Sequence, residues 1–323
     1  MAEATLERRG TDAADVRRWL RDNGVYVAVA VLLLYNLVFT ANFATVSNIN
    51  TQLVQVAPVV IVALGMALVI GTEGVDLSVG SVMALAAALL PLYLGYGVVA
   101  GVLSALAAGA VAGLLNGTLV AFVRIQPIVA TLALLVGGRG LALVIADGQL
   151  KDIRNDDLLS FGSGKALGLP LVVWLAAVLA VLVGLLVRYT TFGRRLVAIG
   201  GNRSASALAG LPVRRVLVIT YVLSGVFAAV AGIVATARLT ASDPSSIGNL
   251  YELSAITAVV VGGTSLSGGR VRILGTVMGA LLIQLIRATL IKNDLPDSIA
   301  QMAQAAIIIG AVYAQRDRRA GAS

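Results

Sequence analysis

The chain has no cysteine and no histidine, and only 12% of its 323 residues are charged. Without cysteine there are no disulfides, no thiol nucleophile and no cysteine-ligated metal. Without histidine there is no Ser-His-Asp triad, no H-E-x-x-H zinc site and no imidazole proton relay. The scarcity of charge excludes still more. A soluble domain is about a quarter charged and roughly half apolar, whereas 59% of this chain is apolar and its mean hydropathy is +0.94. A water-soluble fold of this size could not cover its surface, so the composition indicates a polytopic membrane protein. The net charge is +8, from 24 basic and 16 acidic residues. The basic residues lie between apolar runs, which is the pattern of loops on the cytoplasmic side and not of a nucleic-acid surface.

A helix crossing ~30 Å of hydrocarbon needs ~20 mostly apolar residues. Ten segments qualify as candidate helices: 25–41, 53–72, 79–95, 98–122, 127–146, 169–187, 215–237, 253–267, 273–291 and 298–314. The eighth is short, and eight spans with two re-entrant pieces would keep the same parity. Five arginines precede the first span, six basic residues lie at 188–215 with no acid, and three arginines follow the last span. Placing all three regions in the cytoplasm puts 17 basic residues inside and five outside, with Arg139 and Arg287 within spans. The expected organisation is a cytoplasmic arm over 1–24, a transmembrane domain over 25–315 with a loop at 188–215, and a cytoplasmic tail over 316–323. The first apolar segment is too long for the core of a signal peptide, and no A-x-A site follows it.

Small residues recur every four positions at Gly97, Gly101, Ala105, Gly109, Gly113 and Gly117, with Gly275 and Gly279 repeating the spacing later. That spacing keeps them on one helix face and lets another backbone approach closely. Polar groups at depth are few. Gln55, Asn116 and Gln284 are candidates for a substrate pathway or for plain interhelical hydrogen bonds, while Arg139 and Arg287 either line a path or snorkel outward. No carboxylate is expected inside a span, which argues against an ion-coupled carrier.

No nucleotide-binding loop is present. The nearest approach, Gly162-Ser163-Gly164-Lys165-Ala166, has Leu159 where the first glycine belongs and alanine in place of Ser/Thr. A pump built on this chain needs ATP hydrolysis from another subunit. The 188–215 loop is where such a subunit would push. Asn202 is a good N-cap, Ser204 to Ala209 favour a short helix, Gly210 suits the left-handed position that ends it, and Pro212 prevents continuation. Asp76, followed by Leu77-Ser78, can cap the helix that starts beyond it.

Gly71-Thr72-Glu73-Gly74-Val75-Asp76-Leu77-Ser78-Val79-Gly80-Ser81 resembles the G-G-I-D-L-S-V-G-S signature of ribose/xylose/arabinose/galactose-type ABC transporter permeases. Ala146-Asp147-Gly148, Ala198-Ile199-Gly200-Gly201-Asn202 and Val261-Gly262-Gly263-Thr264-Ser265-Leu266-Ser267-Gly268-Gly269 match further signatures in order, and the resemblance covers about residues 50–315. Thr72-Glu73 departs from the usual Gly-Gly pair.

The resemblance implies an all-α fold of about ten transmembrane helices, similar to vitamin B12 and siderophore importer permeases, and no enzyme activity in the chain itself. Cofactors are not expected in the chain, ATP and magnesium being held by a double-cassette ATPase partner. It further implies an extracytoplasmic sugar-binding protein, a second permease copy or paralogue, and a location in the bacterial inner membrane with both termini cytoplasmic. By analogy Gly201, Asn202, Arg203, Ser204, Ala205, Ala209 and Gly210 form the ATPase-coupling segment, and Asp76, Ser78 and Gly80 lie near the cytoplasmic gate. The expected cargo is a small sugar. The alternatives are an ion-coupled carrier, or a same-family permease for furanosyl signalling sugars, nucleosides or branched-chain amino acids.

Overall fold

A computed structural model describes the backbone of residues 23–320 and side chains through residue 310. Residues 1–22 of the expected N-terminal arm and the side chains of the C-terminal arginines lie outside the described residues. Helices α1 (Asn23–Phe39), α2 (Val46–Gly71), α3 (Val79–Tyr93), α4 (Val98–Thr118) and α5 (Pro127–Ile145) open the chain. A short amphipathic helix α6 (Asp156–Ser163) follows, then α7 (Leu171–Tyr189), α8 (Thr191–Gly201) and α9 (Arg203–Leu208). The last four are α10 (Val213–Leu239), α11 (Tyr251–Val261), α12 (Ile273–Lys292) and α13 (Asp297–Ala320).

Local chemistry sets these ends. The Thr45 hydroxyl accepts from Asn48 N at 3.3 Å and caps α2, Pro127 begins α5 where its missing N–H costs nothing, and Asn155 caps α6 ahead of Asp156 and Asp157. Two-residue strands complete the set. β1 (Lys151–Asp152) pairs antiparallel with β4 (Ala241–Ser242), and β2 (Lys165–Ala166) pairs antiparallel with β3 (Leu169–Pro170).

Among the described residues, seven helices are long and apolar enough to cross a membrane: α2, α3 with the turn after it, α4, α5, α7, α10 and α12. The apolar helices α1 and α11 are shorter. The segment expected to span 253–267 is helical only to Val261, because Gly262 and Gly263 end it, Gly263 in a left-handed conformation.

Helices α2 and α10 run through the centre, with Ile61, Leu64, Met66, Leu68, Ala228 and Val234 sealed from the exterior. Apolar side chains gain little by leaving lipid for protein, so close packing holds such a bundle together. The glycine row supplies it, though not against a single partner. Gly109, Gly113 and Gly117 meet the backbone of α10 at Gly225, Tyr221–Val222 and Val218, whereas Gly101 faces Leu90 and Leu94 and Gly97 faces open space. Gly275 and Gly279 pack on Gly262 and Ala258, joining α12 to α11.

Candidate functional site

The arginine-rich end carries a helical hairpin. The Thr190 hydroxyl accepts from Gly193 N and starts α8. Asn202 Oδ1 accepts from Ala205 N at 2.9 Å and starts α9. The helix then closes with Gly210 N donating to Ala207 O and Leu211 N to Ser206 O, which needs the left-handed Gly210 (φ 76°). It runs one residue earlier than the expected 204–209. Gly201, Asn202, Arg203, Ser204, Ala205, Ala209 and Gly210 are all exposed, and Leu208 is 91% exposed at the tip. Ser206 alone turns inward.

Three of the four sequence signatures converge beside this hairpin. Gly269 N donates to Gly71 O at 3.1 Å, and a Cβ on Gly200 would lie 2.6 Å from Gly269 N and collide with Gly71 O. The end of α2, the end of α8 and the loop before α12 are therefore locked backbone to backbone. The fourth signature, Ala146-Asp147-Gly148, lies at the far end of α5, where Asp147 and Gly148 both adopt left-handed conformations.

Asp76 lies in the segment between α2 and α3, outside both helices, and is nonetheless a buried carboxylate. It is 1% exposed. Oδ1 accepts from Ser78 N at 3.0 Å and from the Ser78 hydroxyl at 2.6 Å, and Oδ2 accepts from the Ser224 hydroxyl at 2.8 Å. Ser224 is about 17 Å along α10 from its first residue at 1.5 Å per residue. The 72–78 segment thus turns back from the arginine-rich end to mid-bundle, carrying Asp76 with it. Asn116 Nδ2 donates to the Ser78 hydroxyl at 2.9 Å, so α3, α4 and α10 meet in one polar knot. Asn116 Oδ1 and the Tyr221 hydroxyl, which lies against Gly74, have no hydrogen-bond partner among the described residues. Thr72 closes the end of α2 through its hydroxyl on Val69 O, and Glu73 takes a left-handed conformation (φ 65°) where the resembling family places glycine.

Gly80, next in the signature, meets the opposite loop. A Cβ there would fall 2.5 Å from Glu252 Oε2 and strike Gly248 O, so the starts of α3 and α11 approach each other inside the bundle. Arg139 fastens this contact and does not snorkel. Its guanidinium donates to Pro244 O at 2.8 Å, to Ile247 O at 2.6 Å and to Gly80 O at 3.4 Å. In the same loop Asp243 accepts from Ser245 N and the Ser245 and Ser246 hydroxyls. Those bonds, that from the Ser245 side chain foremost, hold its carboxyl below the usual range against the opposing effect of burial.

Gln55 and Gln284 come together elsewhere. Gln284 Nε2 donates to Gln55 Oε1 and to Gln52 Oε1, both at 2.7 Å. Both Gln55 and Gln284 line a cavity of about 460 Å³ bounded by α2, α11, α12, α13 and the end of α10. Asn116 is not among its lining residues, so the three amides grouped in the sequence belong to two places. Ser224 and Gln52 are the partners missed in the sequence, and Tyr221 is the buried hydroxyl missed beside the knot. Ser224 and Tyr221 interrupt the apolar run of α10, a signal as plain as Asn116 in α4.

A family model described as branched-chain amino acid transport system / permease component matches residues 48–312. The galactofuranose transporter permease protein YtfT of Escherichia coli is 43% identical over 266 residues, covering 82% of this chain and 78% of the relative. The ribose import permease protein RbsC of Escherichia coli is 37% identical over 309 residues, covering 94% and 96%. The fructose import permease protein FruF of Bifidobacterium longum is 40% identical over 294 residues, covering 85% and 83%. No solved structure matches.

Proposed function

Because the chain belongs to the branched-chain amino acid transport system / permease component family, we propose that it is the membrane-spanning permease subunit of an ATP-binding-cassette importer for a small sugar of pentose or hexose size. The observation that carries this reading is the match to a ribose import permease along 94% of this chain and 96% of the relative. An ion-coupled carrier finds no comparable support. The chain is a transport subunit and hydrolyses no ATP itself. It sits in the inner membrane with about ten crossing or partly crossing helices, both termini in the cytoplasm, in the manner of vitamin B12 and siderophore importers. Its partners are a double-cassette ATPase inside, a sugar-binding protein outside and a second permease copy or paralogue.

The mechanism is alternating access. The exposed hairpin of α8 and α9 is the natural lever, because it presents Arg203, Ser204 and Leu208 outward while its base is locked to the end of α2 and the loop before α12 through Gly200, Gly71 and Gly269. Closure of the ATPase against α9 would push these three backbones as a unit. The 72–78 segment, continuous with one of them, carries the push to Asp76, Ser78 and Gly80 in mid-bundle. Gln55 and Gln284 serve the sugar path with neutral amides that let the cargo go, since a tight site would slow release.

The test is ATP-driven sugar uptake into proteoliposomes holding the chain, its cassette ATPase and a loaded binding protein. Uptake should vanish when residues 202–210 are replaced by a Gly/Ser linker, with insertion unchanged. Solute concentrated by vesicles containing this chain alone would overturn the reading.

A further inference from the structure

Beyond Gln55 and Gln284, the cavity has polar lining residues to which the role proposed above assigns nothing. Two helices supply Arg287, Asp297, Gln301 and Gln304. On α12, Gln284 and Arg287 lie three residues apart. On α13, Asp297, Gln301 and Gln304 lie at spacings of four and three, so each set shares one helix face. Arg287 Nε contacts Asp297 Oδ1 at 2.7 Å, and Gln301 Nε2 donates to Asp297 Oδ2 at 3.1 Å. Deeper in, Gln304 Nε2 reaches the Ser254 hydroxyl at 3.3 Å. Arg287 and Asp297 are about half exposed, which places them at the mouth. Gln301 is exposed beside them, and Gln304, Gln284 and Ser254 lead inward from there.

This chemistry selects its ligand. Amides and hydroxyls offer donors and acceptors together, as vicinal hydroxyl groups require. The Arg287 guanidinium and the Asp297 carboxylate at the mouth are already paired, and Arg238, the other guanidinium in the lining, has its Nε buried without a hydrogen-bond partner among the described residues, a further donor for a hydroxyl. A volume of about 460 Å³ lies toward the small end of ligand sites, ~300–1,000 Å³. We propose that this cavity is a way station for an uncharged monosaccharide, bound through its hydroxyls by Arg287, Asp297, Gln301, Gln304 and Gln284. The proposal rests on the sugar-permease reading, and it assigns a recognition role to the permease itself. Holding the sugar by exchangeable hydrogen bonds, with an ion pair at the entrance, gives a shallow site that can fill and empty in each cycle.

The absence of cysteine makes the test direct. Ser254→Cys places one thiol in the cavity, and Ser163→Cys places one in an exposed control position. The full chain in nanodiscs is treated with a hydrophilic maleimide with and without D-ribose, D-galactose, sucrose or gluconate. A monosaccharide should slow labelling of the Ser254→Cys chain at least about threefold and leave the Ser163→Cys chain unaffected. Sucrose and gluconate should not protect. Adding Asp297→Asn or Arg287→Gln should raise the monosaccharide concentration needed for protection about tenfold, the loss expected for one hydrogen bond to a charged group. The protection measurement itself needs neither of these variants. Uptake by the reconstituted importer, run in parallel, separates the two claims. If the importer carries a monosaccharide and neither sugar protects Ser254→Cys, the way station is refuted and the permease reading stands. If the importer carries no sugar, both fall. Protection by sucrose to the same degree, or by gluconate alone, would refute the ligand class.

Discussion

Alanine at Gly113 would test whether close backbone contact holds the bundle together. A Cβ at Gly113 would stand 2.7 Å from Val222 Cα and 2.8 Å from the Tyr221 carbonyl carbon, and would strike the Tyr221 oxygen. Ordinary contact begins near 3.4 Å, so α4 and α10 must part by at least 3.4 − 2.7 = 0.7 Å at that point. No flexible side chain can absorb the change, because every near atom is backbone. A gap of ~0.5–1 Å forfeits a quarter to a half of each dispersion well along the seam, and overpacking of this kind costs ~1–3 kcal/mol. Gly184→Ala is the matched control. Gly184 sits within α7 with nothing within 4 Å of an added Cβ, and its replacement should be neutral or stabilising by up to ~1 kcal/mol through helix propensity. The assay is thermal unfolding in detergent, followed by fluorescence-detected size-exclusion chromatography. Gly113→Ala should melt well below the parent chain and Gly184→Ala at or above it. Equal midpoints for the two variants would refute the argument that this seam stabilises the bundle.

Four further outcomes follow from the same geometry. Asp76→Ala should cost ~3–5 kcal/mol by orphaning the Ser78 and Ser224 hydroxyls, and Asp76→Asn clearly less because one acceptor oxygen survives; denaturant titration of the two variants decides this. Asn202→Ala should weaken α9 by ~1 kcal/mol and lower ATP-driven uptake more than it lowers thermal stability, measured on one preparation. Single cysteines at Ser163 and Ser245 should label from outside intact cells and one at Ser204 should not; labelling at Ser204 would reverse the topology. Ser204 is the right probe because Ser206, though nearer the middle of α9, is only 6% exposed. Finally, Asp243 has its folded pKa depressed, so its bonds to Ser245 and Ser246 stabilise the loop above the ordinary carboxylate range, and that contribution is lost as pH falls through the folded value. Protection of the 243–250 amides, taken relative to the intrinsic exchange rate at each pH, should hold at neutral pH and fall below about pH 4, with the step missing in Asp243→Asn.

Much of the exposed α8–α9 hairpin was legible in the residues. Asn202, Gly210 and Pro212 are caps and stops that act over three or four neighbours, so α9 could be placed to within one residue. The mid-bundle knot was not legible. Asp76 reads as a loop residue, because it follows an apolar run and precedes another, and nothing local says that the loop folds back between α4 and α10. Arg139 read equally well as a snorkelling side chain. Its partners, Pro244, Ile247 and Gly80, are 105, 108 and 59 residues away. Gln55, Asn116 and Gln284 looked like one class of buried amide, yet two line a cavity and the third ties Ser78.

The order of apolar runs and the arginine clusters established from sequence alone that this is a multi-pass membrane chain, and the missing histidine and cysteine excluded the chemistries that need those side chains. Those properties depend on composition and on short-range periodicity, which a linear text carries completely. Which helix ends meet, which carboxylate is buried and which amides share a cavity were decided only by tertiary structure. Each is a contact between segments far apart in the chain, and where helix ends meet, glycine at Gly200 or Gly80 lets two backbones come within reach.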